Sequence, residues 1–214
     1  MSKYNQFYNE QYQDIILATG ENVLWEGKPN KKAFILNSIL PMMPFILLWL
    51  AFDGFFIFTF VVTGAFSEMA FFIIPFFALH LLPVWKWLGN LLTASAKWEK
   101  TKYLVTDKRI VLQSGFISSN INSIYYKDID NVNLHIGVFD RMFGVGDIII
   151  STNKMFRDSE NRLHQASHCI LDIPNPHDTF RKVHKIILDI QTDIEYPNEL
   201  RPKTNPGYNT EYRQ

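Results

Sequence analysis

Two ionisable residues, Asp53 and His80, lie inside a block of almost entirely apolar sequence that runs from Ala33 to Leu92. The block contains two other charged residues, Glu68 and Lys86. A carboxylate or imidazole that is removed from water is costly unless it faces a partner or a cavity. We therefore treat Asp53 and His80 as a candidate polar pair.

The apolar block is long enough for two helices that cross a membrane. One crossing needs ~20 apolar residues, and Ser67–Glu68 is the clearest polar break. A loop at Asp53–Gly54 would leave a segment of only ~12 residues after it, which is too short to cross. We therefore predict two spans, at about 40–65 and 69–91.

Lysines indicate how this predicted hairpin, residues 33–92, is oriented. Basic residues flank its two ends, whereas the loop between the spans contains no Lys or Arg; the flanking lysines are Lys28, Lys31, Lys32, Lys97, Lys100 and Lys102. Lys and Arg near the ends of spans remain on the cytoplasmic side. We expect both termini in the cytoplasm, with residues 1–32 as a cytoplasmic N-terminal segment. No signal peptide is evident at the start.

The position of the turn brings the candidate polar pair to a similar depth. If the turn is centred near Phe66–Ser67, Asp53 precedes it by ~13 residues and His80 follows it by ~13, with 1.5 Å of rise for each. Two interpretations remain open. In the functional interpretation, the pair is a proton or ion site that is shared with other subunits or with another protein. In the structural interpretation, the pair is hydrogen-bonded and locks the hairpin, or Asp53 lies at a kink near water.

A second candidate is the turn Asp107-Lys108-Arg109, which follows a short β-type run. Basic residues near a membrane attract the anionic headgroups of the cytoplasmic leaflet. Lys108 and Arg109 are therefore candidates for contact with a headgroup or a partner. In the structural alternative, Asp107 and Lys108 shape the turn and Arg109 is solvated.

The sequence offers little support for catalysis or for a bound cofactor. It contains no G-x-S-x-G, no H-E-x-x-H and no phosphate-binding glycine loop, so we predict no catalytic residue, no cofactor and no enzyme. His164 and His168 are four residues apart, which in a strand separates them by ~13 Å, too far for one metal ion. Cys169 is the only cysteine, which excludes a multi-cysteine zinc site. We predict no metal site.

The pattern changes to β-type after Lys97. Strand-like runs follow one another, whereas NKMFRDSENRL is typical of a polar loop; the runs are KTKYLVT, RIVLQSG, INSIYY, DIDNVNLHIG, VGDIIIST and HQASHCILDI. A helix, Thr179–Ile194, then carries an apolar stripe. We predict an all-β barrel over 97–195 that this C-terminal α-helix closes. The tail, 196–214, is predicted to be disordered because it is polar and rich in proline.

The order of these motifs resembles a bacterial family of pleckstrin-homology-like membrane proteins with a two-helix transmembrane hairpin. The resemblance extends from about Glu21 to Ile190 and rests on five motifs: Trp25-Glu26-Gly27-x-Pro29, Tyr103-Leu104-Val105-Thr106-Asp107-Lys108-Arg109-Ile110, Ile129-x-Asn131-Val132, Val138-Phe139-Asp140-Arg141-Met142-Phe143-Gly144-Val145-Gly146 and Ile173-x-Asn175-Pro176. It implies a pleckstrin-homology-like barrel on the cytoplasmic face of the bacterial inner membrane. It implies no shared catalytic motif.

We therefore expect a membrane-anchored module that acts as a scaffold, with membrane lipids and an unknown protein as partners. The alternative is a subunit of a transporter or channel that uses Asp53 and His80. Two helices cannot enclose a pore, so this alternative requires a homo-oligomer or another multimer. Positive and negative side chains balance at 21 each. That balance provides no basic field for nucleic acid, and we expect none as a partner.

Overall fold

The computed structural model of the protein describes residues 17–196. Residues 1–16 of the predicted N-terminal segment, and all but the first residue of the tail that was predicted to be disordered, lie outside this range.

The apolar block folds into consecutive helices: α1 (Lys31–Ile39), a 3₁₀ turn (Leu40–Met42), α2 (Met43–Val62), α3 (Ala65–His80) and α4 (Leu82–Glu99). The side chain of Asn30 caps α1 by accepting hydrogen bonds from the backbone of Lys32 and Ala33. Helix α2 continues through Asp53 and Gly54 without a loop. We call α2 and α3 together the helical hairpin.

The turn of the helical hairpin comes earlier than the sequence suggested. It lies at Thr63–Gly64 instead of Phe66–Ser67, and Gly64 adopts a left-handed conformation with φ of 77°. Glycine reaches this conformation without the steric cost that a Cβ atom would add. Helix α2 therefore ends at Val62, three residues before the expected end of the first span.

The second apolar segment, expected as one helix over 69–91, is broken at Leu81 and bends by 50° between α3 and α4. Pro83 lies in the first turn of α4, where its ring is incompatible with an uninterrupted helix. Among the residues described, the continuous helical segment Lys31–Val62, which comprises α1, the 3₁₀ turn and α2, is the one that is long and apolar enough to cross a membrane by itself. The bent pair of α3 and α4 qualifies only if it counts as one span.

The β domain consists of two antiparallel sheets. Four strands form the first, in the order β1 (Val23–Gly27), β2 (Lys102–Thr106), β3 (Arg109–Gly115) and β4 (Ser119–Tyr125). The second contains β5 (Ile129–His135), β6 (Val145–Arg157) and β7 (Leu163–Pro174). Helix α5 (Val138–Phe143) connects β5 to β6, and helix α6 (Pro176–Glu195) follows β7. The expected all-β architecture with a C-terminal helix is present.

Two boundaries of this domain differ from the expectation. Strand β1 precedes the helices yet pairs with β2, with Trp25 opposite Val105, so the domain takes a strand from residues 1–32 and does not begin at 97. The segment expected as a polar loop instead extends β6 and β7, which pair as far as Arg157 and Leu163. Cross-strand hydrogen bonds keep this polar segment extended although few of its side chains are buried.

Helix α6 closes the core, as its apolar stripe predicted. Val183, Ile186 and Ile187 are almost fully buried and pack with apolar side chains from both sheets, including Ile148, Ile150 and Ile170 of the second. Phe180, at the start of the stripe, is only partly buried. The core therefore lies between the two sheets and beneath this helix.

Helices α1 and α4 pack side by side and connect the β domain to the helical hairpin. The Trp98 indole donates a hydrogen bond to Pro29 O (2.7 Å), and the Trp87 indole donates one to Ile39 O (3.1 Å). The backbone N–H of Asn30 donates to Asp172 O of β7 (2.8 Å). We call α1 and α4 the stem, because they run antiparallel from the domain to the base of the hairpin.

Candidate functional site

The candidate polar pair is in contact. His80 Nδ1 lies 2.8 Å from Asp53 Oδ1. Asp53 is 2% exposed, whereas the His80 side chain is 27% exposed. The pair therefore joins the middle of α2 to the last residue of α3.

Trp49 and Phe76 hold the imidazole of His80 in place. Trp49 lies one helical turn before Asp53, and its indole N–H donates a hydrogen bond to His80 O (3.1 Å). The His80 ring stacks on Trp49, with ring centres 4.7 Å apart, and on Phe76, with centres 5.2 Å apart. Two aromatic rings and a carboxylate thus limit the rotation of this imidazole.

Equal distances from the turn do not explain this contact. Asp53 precedes Thr63 by 10 residues, whereas His80 follows Gly64 by 16. At 1.5 Å per residue the two would differ in depth by roughly 9 Å in parallel helices. The packing of the end of α3 against the Trp49–Asp53 turn of α2 brings them together instead.

A cavity of about 750 Å³ lies beside the pair, between α2 and α3. Six phenylalanines, one isoleucine, Asp53 and His80 line it. Asp53 Oδ2 is buried and has no hydrogen-bond partner among the described residues. An ordered water needs two to four polar partners, and apart from Asp53 and His80 the residues that line the cavity are all apolar.

The structure places Arg109 in an ion pair. Its Nε lies 3.0 Å from Glu21 Oε1 and its Nη2 lies 3.1 Å from Glu21 Oε2, while Nη1 donates to Ser123 Oγ. Burial alone would raise the pKa of Glu21, but hydrogen bonds from Arg109, Ala18 N–H and Thr106 hold that pKa below its usual value. This geometry favours a structural role for Arg109, and contact with a headgroup stays a prediction.

Lys108 extends towards Thr19 O at 3.5 Å, while Asp107 accepts two hydrogen bonds from Asn22. The turn lies at the end of β2 that is remote from α4, ~13 Å along the strand from Lys102. The predicted basic pair is therefore not next to the stem.

A different basic group lies at the end of the stem that adjoins the β domain. The ammonium groups of Lys28 and Lys31 lie 4.3 and 4.9 Å from the ring centre of Trp98, a distance typical of cation–π contacts. In the sequence these lysines indicated orientation only. Their association with Trp98 could not be predicted, because about 70 residues separate the two segments.

Asn37 of α1 connects the stem to three carboxylates that sequence reasoning missed. Its amide donates to Asp140 Oδ1 (2.9 Å) and to Asp172 Oδ1 (2.5 Å), and Asp172 N–H donates to Asp147 Oδ1 (2.8 Å). Burial raises the pKa of Asp172 to about 6, with the charges of Asp147 and Asp140 adding to the effect and the Asn37 hydrogen bond opposing it.

His164 and His168, the two histidines that were weighed as metal ligands, lie in β7. His164 Nε2 is 2.8 Å from Asp158 Oδ2 at the end of the β6–β7 hairpin. Partial burial, helped by the charge of Lys154, lowers the pKa of His168. Within residues 17–196, no group of three or more metal-binding side chains is arranged around a common point.

Comparison with known proteins agrees with this architecture. No curated protein and no solved structure matches the chain. A family model for the bacterial PH domain matches residues 39–186, which is more than half of the chain and extends from the base of the hairpin into α6. Two antiparallel sheets closed by a C-terminal helix are the arrangement expected of that fold. The chain belongs to the bacterial PH domain family.

Proposed function

We propose that this protein is a scaffold anchored in the bacterial inner membrane. In this proposal the helical hairpin crosses the bilayer, and the PH-like domain binds a protein or a lipid at the cytoplasmic face. PH-like domains generally bind and do not catalyse, which supports a role in recruitment.

The observation that carries the proposal is the outward direction of the apolar side chains on α2 and α3. Phe71 is 83% exposed and Phe72 is 70% exposed, and many other large apolar side chains of these helices are also exposed. An apolar surface of this extent is unfavourable in water. A lipid bilayer would cover it at no such cost.

The stem supports the proposal because it would fix the domain relative to the membrane. The Trp98–Pro29 and Asn30–Asp172 hydrogen bonds join α4, α1 and β7 at one end. A domain held in this way stays at high local concentration near membrane partners.

The end of the β6–β7 hairpin is the surface that we propose for a protein partner. Strand β5 pairs with β6 only as far as Thr152, so residues 153–157 have a neighbour on one side alone. Met155, Phe156 and Leu163 are exposed there, ~30 Å along β7 from the stem contact at Asp172. An open strand edge beside apolar side chains suits β-augmentation by a partner.

Fractionation and labelling test the anchoring. We expect the full chain to remain in the membrane fraction after alkaline carbonate extraction. In a Cys169→Ser background, Ser67→Cys should react with an impermeant maleimide from outside spheroplasts, and Glu160→Cys should react only after lysis. Release by carbonate, or labelling of position 160 from outside, would contradict the proposal.

Photo-crosslinking tests the partner surface. A photoreactive amino acid in place of Phe156 should crosslink to a protein in cells. The same photoreactive amino acid in place of Ile121, which is also exposed but lies on β4, should not. Equal capture at both positions would rule out a specific surface at the β6–β7 hairpin.

A second candidate function is a subunit of a multimeric transporter or channel. The buried, unpartnered Asp53 Oδ2 favours it, because ionisable groups in hydrocarbon commonly mark ion or proton paths. The hairpin would then need further copies to enclose a path. Proton flux into proteoliposomes, measured with the purified chain, tests this function directly.

A further inference from the structure

We propose that α5 is a second membrane contact, whose apolar face enters the headgroup region of the cytoplasmic leaflet beside the hairpin. This inference rests on the proposed anchoring, and it assigns a bilayer-facing surface to the β domain itself.

The apolar side chains on one face of α5 point into solvent. Val138 is 79% exposed and Met142 is 74% exposed. They are one turn apart, so they lie on one face, with Phe139 (exposed) at its side. Solvent-facing apolar groups concentrated on a single short helix need a partner of their own.

Hydrogen bonds to Asp140 on the opposite side of α5 hold this face outward. Asp140 lies two residues from both Val138 and Met142, and therefore on the opposite side of the helix. Its carboxylate is buried, where it accepts hydrogen bonds from Gly137 N–H (2.8 Å) and from the Asn37 amide (2.9 Å). The negative charge is turned into the protein, and the apolar face is turned away.

The position of α5 along the stem is fixed by its contact with Asn37. Asn37, which contacts Asp140, lies two residues before Ile39, whose carbonyl accepts from the Trp87 indole. Tryptophan is enriched where spans meet the membrane surface, and the uninterrupted apolar sequence of α2 begins just beyond this point. Helix α5 is thereby held at the level where the bilayer begins.

Lipid covers the apolar face of α5, because α5 lies where the bilayer begins. The hairpin would already place the bilayer boundary within a few residues of Asn37, so no additional protein is needed to cover α5. Arg141 is exposed beside the apolar face, and a cation next to apolar residues is typical of interfacial helices on anionic lipid. With two contacts, the domain could not rotate about its stem, and the β6–β7 hairpin would keep one orientation.

A matched surface elsewhere provides the control. Ile117, in the β3–β4 turn, is 87% exposed. The carbonyl oxygen of Ile117 accepts a hydrogen bond from Lys100 Nζ (3.3 Å). Lys100 follows the last residue of α4 and lies 13 residues after Trp87, a distance of ~20 Å along the helix. The geometry therefore predicts that Ile117 stays in water although it is as apolar and as exposed as Val138.

The experiment uses the full chain with Cys169→Ser, reconstituted in vesicles of phosphatidylethanolamine and phosphatidylglycerol. An environment-sensitive fluorophore is attached at Val138→Cys, at Ile117→Cys or at Phe71→Cys of α3. Quenching is measured with a lipid that carries a nitroxide close to its headgroup. We expect strong quenching at 138 and 71, with quenching at 138 at least about two-fold greater than at 117.

Each other outcome has a definite meaning. Quenching at 71 without quenching at 138 overturns the α5 contact and leaves the anchoring intact. Equal quenching at 117 and 138 also overturns it, because the contact would not be specific to α5. Absence of quenching at 71 refutes the anchoring and, with it, this inference. As a further check, Met142→Asp should reduce quenching at 138, since a charge would be forced into the interface.

Discussion

At the scale of single residues, the charges of this protein differ in how they are satisfied. Arg109 and Glu21 form a two-point ion pair. Asp172 receives a hydrogen bond from Asn37 but lies near two further carboxylates. The first arrangement stabilises the ionised forms, and the second opposes ionisation. Substitution at these positions should therefore change stability in opposite directions.

The substitution Arg109→Met should lower the free energy of unfolding by roughly 3 kcal/mol, because it leaves the buried Glu21 carboxylate without its cation. Lys108→Met, at the exposed neighbour, should change stability little. Chemical denaturation of the full chain in detergent checks both. If Arg109 instead binds a headgroup, its loss would reduce the anionic lipid that co-purifies, measured by mass spectrometry, while stability stayed the same.

The substitution Asp172→Asn should raise stability at pH 8 and flatten its pH dependence. Because the pKa of about 6 in the folded state exceeds the ordinary value of 3.8, the folded protein binds a proton that the unfolded chain does not bind between these values. Stability therefore rises as the pH falls from about 8 towards 4. Asparagine removes the charge, still accepts from Asn37 and tolerates the positive φ of 53° at this position.

Thermal unfolding between pH 5 and 8 measures this effect. The expected gain at pH 8 is up to about 3 kcal/mol, because the pKa of Asp172 lies about two units above its ordinary value and each unit is worth ~1.4 kcal/mol. Glu195→Gln, which changes an exposed carboxylate, is the control and should leave the slope unchanged. If the stability of the Asp172→Asn protein still depends on pH to the same extent, the titration belongs to another group.

At the scale of elements, α6 joins the two sheets and the stem joins the domain to the hairpin. Among the described residues, α6 is the only α-helix that contributes buried apolar side chains to the core between the sheets. The stability of the β domain should therefore depend strongly on a few side chains of α6.

The substitution Ile187→Ala should destabilise the β domain by ~2–5 kcal/mol, because it opens a cavity in a close-packed core. Leu188→Ala, at the next residue, which is exposed, should cost much less. The two proteins can be compared by chemical denaturation, followed by circular dichroism. Equal costs would mean that α6 does not close the core in solution.

At the scale of the whole molecule, the number of copies separates the two candidate functions. A scaffold can act as a single hairpin, whereas transport needs a multimer whose copies surround Asp53. Mass measurement of the protein in mild detergent, after crosslinking, distinguishes these cases and reports any partner that co-purifies.

The substitution Asp53→Asn should leave the hairpin folded, because asparagine keeps an acceptor for His80 and polar contacts between membrane helices average only ~0.6 kcal/mol. If the protein is a scaffold, crosslinking at Phe156 should persist in this variant. If it is a transporter, proton flux should be lost, and Glu68→Gln, at an exposed carboxylate near the turn, should retain it. If the Asp53→Asn protein still conducts protons, Asp53 is not part of the proton path.

The kind and order of the elements could be predicted from the amino-acid sequence, because these depend on local patterns. The apolar block, the alternating runs after Lys97 and the stripe of α6 each have a period that a short segment displays. The same reasoning singled out Asp53 and His80, since a charge within apolar sequence needs no structure to be noticed.

Which groups are in contact could not be predicted without the folded structure. Strand β1 joins a sheet whose other strands lie across the whole helical block, Arg109 pairs with a glutamate 88 residues away, and Asn37 bridges Asp140 and Asp172. The Asp53–His80 contact depends on the packing of Trp49, although an equal count from the turn had suggested it. Such contacts follow from how elements pack, and no local period in the sequence encodes the packing of elements that are distant along the chain.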